Sequence, residues 1–233
     1  MSIKDKYEVR QIQKEETYPW LLKKHYAHRK PSISYSFGLY DKENILNGVI
    51  TYGLPPAINL YDICGEKYKK NVIELNRLIK NDDLGKNIQS WFVAQTFNLL
   101  PKPIVIISYA DPNNGHVGYT YQSLNFLYTG TGGANKEMEY RGKMISMRHI
   151  KEPWFIKRGM VFDKNKTIDE NFKMIGGDII KKEQKHRYVL FVGTKREKKE
   201  MNRFLKFEVL PYPKGDNKRY DTSYTPDVQG LLF

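Results

Sequence analysis

The run Val72–Lys80 (VIELNRLIK) sets a carboxylate and a guanidinium inside an otherwise apolar segment. Strand alternation places Val72, Glu74, Asn76 and Leu78 on one face and Ile73, Leu75, Arg77 and Ile79 on the other. Charges inside a central strand are costly unless they are paired or line a site. Glu74 and Arg77 therefore form either a structural ion pair or part of a cleft. The next apolar strand, PIVIISYAD (103–111), ends in Ser108-Tyr109-Ala110-Asp111. Polar residues just past an apolar parallel strand stand where α/β folds hold ligands. Asp111-Pro112-Asn113 equally makes a turn that caps the following helix, and both roles are compatible. Between these strands, Gly85, Lys86 and Asn87 precede a helical pattern, where free backbone amides can hold an anion. Ordinary strand–helix turns also carry Gly and Asn, and Asp82 and Asp83 oppose a phosphate there.

His25-Tyr26-Ala27-His28 is the densest group of metal-capable side chains. Histidines three apart share one face of a helix, and such a pair with one carboxylate suits non-haem iron. The alternative is a pair of solvated or phosphate-facing histidines on a basic helix. His116, His149 and His186 stand singly. Cys64 is the sole cysteine, which leaves no internal disulfide and no cysteine-based zinc site. Phosphate-loop, dinucleotide and zinc-protease signatures are missing from the sequence.

The formal charge of +13 calls for a polyanionic partner or simply describes a basic soluble protein. Positive residues gather at 23–30, 181–187 and 195–206 and leave the apolar middle nearly neutral, as a basic face would. Lys185, Arg187, Lys195 and Arg196 are the candidate phosphate contacts. Tyr119, Tyr121, Trp154 and Tyr188 could stack on a base, although most tyrosines belong to core or rim. No stretch has the length of a membrane span, and the N-terminus lacks a signal peptide, so the reading is cytoplasmic with no membrane partner.

The elements that must position these groups follow from periodicity. Residues 4–13 read as a strand and 14–27 as a helix, with Pro19 in its opening turns. Residues 32–53 form a hairpin turning at Asp41-Lys42-Glu43-Asn44. A loop over 55–70 leads to the strand at 72–80. A helix over 87–100, a strand over 103–111, a short helix over 115–125 and a strand over 126–130 complete an α/β core. The 131–180 region, broken by Gly132-Gly133 and Gly176-Gly177, has the look of an insertion. A strand at 186–193, a basic helix at 195–206 and an extended tail at 208–233 follow. The chain thus divides into a core (1–130), an insertion (131–184) and a closing strand, helix and tail (185–233), one domain overall.

This order resembles the GNAT acyltransferase superfamily, which implies an α/β fold with a mixed central sheet flanked by helices. Tyr121-Gln-Ser-Leu-Asn125-Phe126 is similar to that family's Y-x-x-x-G-F, in which the tyrosine is general acid to the leaving thiolate. Asn125 stands where glycine is usual, and asparagine also visits left-handed geometry. HYAHRKP (25–31), SFGLYD with GVITYG and PP (36–56), IELNRL (73–78), SYADPNNGHVGYTYQSLNFLYTG (108–130), KHRYV (185–189) and VLPYPK (209–214) together resemble the Mom family of phage DNA-modification proteins.

The Mom resemblance implies conversion of DNA adenine to its N6-carbamoylmethyl form, which protects phage DNA from restriction, in the cytoplasm of an infected or lysogenic bacterial host. It implies functional roles for His25, Tyr26, Arg77, Asp111 and Tyr121, and iron as a cofactor, with His25 and Asp111 as the metal candidates. The acyl donor, presumed to be acetyl-CoA, would sit at Gly85, Lys86 and Asn87, although the usual GNAT pyrophosphate loop is reduced here to a lone Gly85. Acetyl transfer alone cannot supply the nitrogen of a carbamoylmethyl group, so glycyl-tRNA is the competing donor. In that route Asp111 or Glu74 is base, Tyr121 acid and Arg77 the electrostatic stabiliser. Two alternatives stay open: a GNAT-type enzyme acting on a protein or small-molecule amine, and a non-enzymatic nucleic-acid-binding protein. A homodimer is also open.

Overall fold

Alternating apolar strands joined by Gly, Asn and Asp turns build one large mixed sheet. The computed structural model describes residues 2–145 and 147–215; residues 216–233 of the expected tail lie outside it. A short helix α1 (Ile3–Lys6) leads into β1 (Tyr7–Gln11). The hairpin of β2 (Tyr35–Asp41) and β3 (Leu46–Gly53) turns where Asp41 accepts hydrogen bonds from the N–H groups of Glu43 and Ile45. Next come β4 (Val72–Lys80), α2 (Ile88–Leu99), β5 (Ile104–Ala110), α3 (Tyr119–Ser123) and β6 (Leu127–Gly132). The following stretch holds β7 (Lys136–Tyr140), β8 (Lys143–Ile145), α4 (Glu152–Ile156), α5 (Ile168–Met174) and β9 (Asp178–Lys181). It closes with β10 (Lys185–Val192) and α6 (Lys195–Arg203).

The seven-stranded sheet runs β1-β2-β3-β4-β5-β10-β6, with β7, β8 and β9 in a separate three-stranded sheet. This is the mixed central sheet flanked by helices that the GNAT-like reading anticipates, with β4, α2, β5, α3 and β6 in the expected order. The late strand β10 lies between β5 and β6, so those two are not neighbours. Ile88, Phe92 and Val93 of α2 pack on Phe37, Ile50, Tyr52 and Ile106 of the sheet. Full burial of a side chain such as Phe92 contributes about 2–3 kcal/mol. The opposite face is covered by Tyr68 and Met201 over Val72, Val105 and Ile107. The small sheet has its own core of Met138, Ile150, Trp154, Phe155 and Phe172. Among the described residues no helix is long and apolar enough to cross a membrane.

Two features of the sheet make a cleft. The parallel pairing of β4 with β5 covers only Val72–Leu75 against Val105–Ser108. Beyond it β4 continues along β3 to Lys80, and β5 continues along β10 to Ala110. The two strands therefore diverge towards their C-terminal ends and open a wedge, whose apex is tied by Ser108 Oγ donating to the Leu75 carbonyl at 2.8 Å. Secondly, Thr51 of β3 pairs with Arg77 while Tyr52 pairs with Leu75, which leaves Asn76 as an extra residue. This bulge shifts the alternation. Leu75 faces the α2 core, whereas Ile79 joins Trp20, Leu21 and Val49 on the other side. Arg77 consequently shares the face of Glu74 rather than opposing it, which corrects simple alternation.

The continuous helix expected over 14–27 is also corrected. A 3-10 turn (Lys14–Thr17) is followed by a π-helical turn (Trp20–Lys24) closed by His25 N–H donating to the Trp20 carbonyl at 2.9 Å. Pro19 between them has no N–H to carry a helical ladder through, and burial of Trp20 and Leu21 against Val49 and Ile79 sets the geometry instead.

Candidate active site

The wedge collects polar side chains from four separate parts of the chain. Asp111, the first residue past β5, is buried and meets Lys185 of β10, with Nζ to Oδ2 at 2.7 Å. Its Oδ1 accepts from the Asn113 backbone N–H at 3.1 Å and from Asn113 Nδ2 at 2.9 Å. Burial pushes the Asp111 carboxyl upward, but the hydrogen bonds from Lys185 and Asn113 outweigh it and hold the group below the usual carboxylate range. Asp111 thus forms the turn and also presents a buried, ionised carboxylate just past the end of β5.

Arg77 approaches from β4. Its Nη1 donates to the Asn76 carbonyl at 2.6 Å, and its Nε is buried without a hydrogen-bond partner. Burial draws the guanidinium below its usual range, Tyr26, Glu74 and Tyr121 oppose that shift, and Arg29 adds to it. Those influences place Tyr26, Arg29, Glu74 and Tyr121 around Arg77. A buried donor without a protein acceptor is satisfied by a water, an anion or a carbonyl oxygen brought to it.

The chain after the π turn covers the wedge. His25 has extended backbone and is buried, and its Nδ1 accepts the Ala27 N–H at 3.0 Å. Burial above all, then the charges of Arg77 and Lys185, pushes His25 down to about 3, so it is a neutral imidazole. The Tyr26 ring lies 4.3 Å from His25 and 6.3 Å from His116. His116, treated as isolated in sequence, belongs to the site, and so does Arg29; the signal for His116 was its place in the same short loop as Asp111. Tyr121 enters from α3, with its ring 5.3 Å from both Phe126 and Tyr188. Asn125 has φ +58°, the left-handed geometry expected of it.

The donors that an iron ion would need are committed elsewhere. His28, at φ +42° and exposed, does not share a helical face with His25, because the helix ends before both. His25 Nδ1 is engaged by Ala27, and both oxygens of Asp111 are engaged by Asn113 and Lys185. Arg77, Lys185 and Arg29 make the surroundings positive. Among the described residues no group of three His, Cys, Asp or Glu side chains could hold a metal ion. The residues do not fit iron as arranged.

The start of α2 fits an anion better. Gly85 has φ +95° with open space where a Cβ would stand, Asn87 is left-handed, and the first turn carries no acidic residue. Lys86 is exposed beside them. Lys80 Nζ donates to the Asn81 carbonyl at 2.9 Å, and Asp82 acts electrostatically on Lys24, so local lysines offset the acidic turn.

The four phosphate candidates separate. Lys185 is held by Asp111. Arg187 donates from Nε to Thr129 Oγ1 at 3.0 Å and from Nη2 to the Thr129 carbonyl at 2.7 Å, and it stacks 3.5 Å over Phe207, a structural placement. Lys195 and Arg196 are exposed in the first turn of α6. They follow Val192, which pairs with Ile104 at the other end of β5, roughly 20 Å along the strand from Asp111.

The Mom protein family model matches residues 6–214. Among solved structures, a spermidine/spermine N-acetyltransferase SpeG from Vibrio cholerae, in complex with manganese ions, is similar at 11% identity and TM-score 0.45, covering 87% of this chain and 99% of its own. A ribosomal-protein-S5-alanine acetyltransferase from Vibrio fischeri is similar at 12% identity and TM-score 0.41, covering 80% and 93%. A putative acetyltransferase from Salmonella typhimurium, with its cofactor acetyl-CoA, is similar at 8% identity and TM-score 0.43, covering 81% and 95%. No curated protein matches the chain.

Proposed function

This chain belongs to the Mom protein family, and from that premise we propose that it modifies the exocyclic amine of adenine in DNA to the carbamoylmethyl form by an acyl transfer in the wedge between β4 and β5. The observation that carries this reading is the buried, unpartnered Nε of Arg77, whose guanidinium feels Glu74, Tyr26 and Tyr121, in a wedge that also holds the ionised carboxylate of Asp111 at the end of β5. An acyl transfer develops negative charge on the donor's carbonyl oxygen, and a preorganised donor in a water-poor site is the group that stabilises it.

The amine nitrogen attacks the acyl carbon and the carbonyl π pair moves to oxygen, towards Arg77. The nitrogen then becomes strongly acidic, so a weakly basic carboxylate suffices to take its proton; Asp111 is that base, with Glu74 the second carboxylate on the Arg77 face. The carbonyl re-forms as the bond to the leaving group breaks, and Tyr121 supplies the leaving atom's proton. Lys185 keeps Asp111 ionised and oriented, while Tyr26 and the neutral His25 wall the site. Gly85, Lys86 and Asn87 hold the donor's phosphates.

A glycyl ester such as glycyl-tRNA is the donor whose atoms balance the product. After transfer, the free amine of the N6-glycyl group attacks C6 of the base. The original C6–N6 bond then breaks, and a proton passes from the attacking nitrogen to the departing one. The result is an isomer in which C6 carries NH–CH2–C(O)NH2. The target base must leave the duplex to enter the wedge.

Mass spectrometry of nucleosides from the DNA of cells expressing the protein tests the reaction. A deoxyadenosine heavier by a carbamoylmethyl group is expected; unmodified DNA at good expression overturns the reading. Purified protein given DNA with either labelled glycyl-tRNA or labelled acetyl-CoA then identifies the donor.

A further inference from the structure

A second basic feature lies next to the wedge. A groove of about 710 Å³ runs from Arg29 onto the small sheet, with its cations at Arg29, Lys151, Lys157 and Arg158, His149 beside them and no carboxylate in its lining. Arg29, Lys151 and Lys157 are exposed and enter no ion pair among the described residues. Arg158 is held as a fixed fork: it lies 4.3 Å over the Trp154 ring, and its Nη1 donates to the Trp154 carbonyl at 3.0 Å. Met144, Ile145, Pro153 and Trp154 give the lining its apolar part. Arg29 joins the two features, since its charge acts on both Arg77 and His25 inside the wedge.

We propose that this groove, built by the 131–184 region together with Arg29, is where the phosphate backbone of the DNA strand flanking the target base is held. The inference rests on the proposed function and names the surface through which its substrate enters. Exposed cations without ion-pair partners, interspersed with apolar side chains in one groove, fit phosphates together with sugars and base faces. Contacts of this kind, made to phosphates, orient the strand without selecting its sequence. Helix α6, the most basic element, is excluded from this task by its place at the far end of β5.

The test is the salt dependence of affinity for a fluorescent oligonucleotide. Lys151→Ala/Lys157→Ala/Arg158→Ala is compared with wild type and with Lys70→Ala/Lys102→Ala/Lys199→Ala. That control removes equal charge from the opposite end of the sheet. Each lost phosphate contact reduces the slope of log affinity against log salt by about 0.9. The groove variant is expected to lose about 2–3 units of slope and to raise the KM for DNA at least tenfold, with the control unchanged. Should Arg158→Ala loosen Trp154, Lys151→Ala/Lys157→Ala alone keeps the test, at a loss of about 2 units. An unchanged slope in the groove variants, an equal loss in the control, or a loss confined to Lys195→Ala/Arg196→Ala overturns the proposal. So does polyglutamate competing as well as single-stranded DNA of equal charge. If wild type modifies DNA while the groove is dispensable, only this inference falls; if wild type has no DNA affinity even at low salt, the functional reading falls with it.

Discussion

Asp111 and Lys185 meet at 2.7 Å across the open ends of β5 and β10, and the carboxylate is the more buried partner, with 9% of its side chain exposed against 38% for the lysine. Breaking such a pair from the lysine side strands a buried negative charge. Lys185→Met is therefore expected to raise the Asp111 pKa, because burial then acts with less opposition. The acid limb of kcat/KM for the modification reaction should move to higher pH. A pH profile checks this. An acid limb that stays in place would remove Asp111 from the proton-transfer role.

Arg77 yields the second prediction. Its Nε has no hydrogen-bond partner among the described residues, although Nη1 donates to the Asn76 carbonyl, so the Nε–H is available to a ligand. Arg77→Met is expected to lower kcat by about 100- to 1,000-fold, the usual effect of losing one oxyanion donor. Stability should hold or rise, since a buried cation is replaced by an apolar side chain. Kinetics together with urea unfolding separate the two effects. A variant that loses activity only because it unfolds would return Arg77 to a structural role.

Much of this arrangement was legible from periodicity. The strand at 72–80, the helix at 88–99 and the apolar strand at 104–110 stand where their repeat places them. Asn125 adopts the left-handed geometry anticipated for it. What sequence did not carry is non-local. The bulge at Asn76, which brings Arg77 onto the Glu74 face, depends on the register of β3 against β4. Placement of β10 between β5 and β6, and with it the Asp111–Lys185 pair, depends on a pairing that no local pattern encodes. Arg187 illustrates the same limit: its charge reads as a phosphate contact, yet Thr129 and Phe207 occupy it.

His25 gives a pH prediction with a definite sign. Its folded pKa is depressed to about 3 from an ordinary 6.5. Between these values the unfolded chain binds a proton that the folded one refuses, so stability falls as pH drops from about 6.5 towards 3. The loss approaches about 1.4 kcal/mol per pH unit for this one group. His25→Gln should flatten the dependence of unfolding free energy on pH between 4 and 6 by about that slope. Urea titrations at several pH values check it, and equal slopes in the two proteins would show that His25 titrates normally.

Gly118 supplies the last prediction, because it links backbone geometry to the position of Tyr121. It has φ +88° and caps the start of α3, and a Cβ added there would meet the Tyr188 ring at 2.4 Å. The ring cannot yield cheaply: its hydroxyl donates to the Val117 carbonyl and accepts from Gln122 Nε2 at 3.1 Å, and the side chain is buried. Gly118→Ala therefore combines a left-handed residue with a clash in the core, and is expected to cost about 2–3 kcal/mol. Relief of the clash requires α3 to move, and Tyr121, three residues on and packed against the same ring, moves with it. The loss of kcat should then exceed what the unfolded fraction explains, whereas Gly133→Ala, at a similar φ but in open space, should cost stability alone and by a smaller amount. Paired unfolding and turnover measurements on the two variants check this, and equal effects at both positions would mean that α3 does not set the tyrosine.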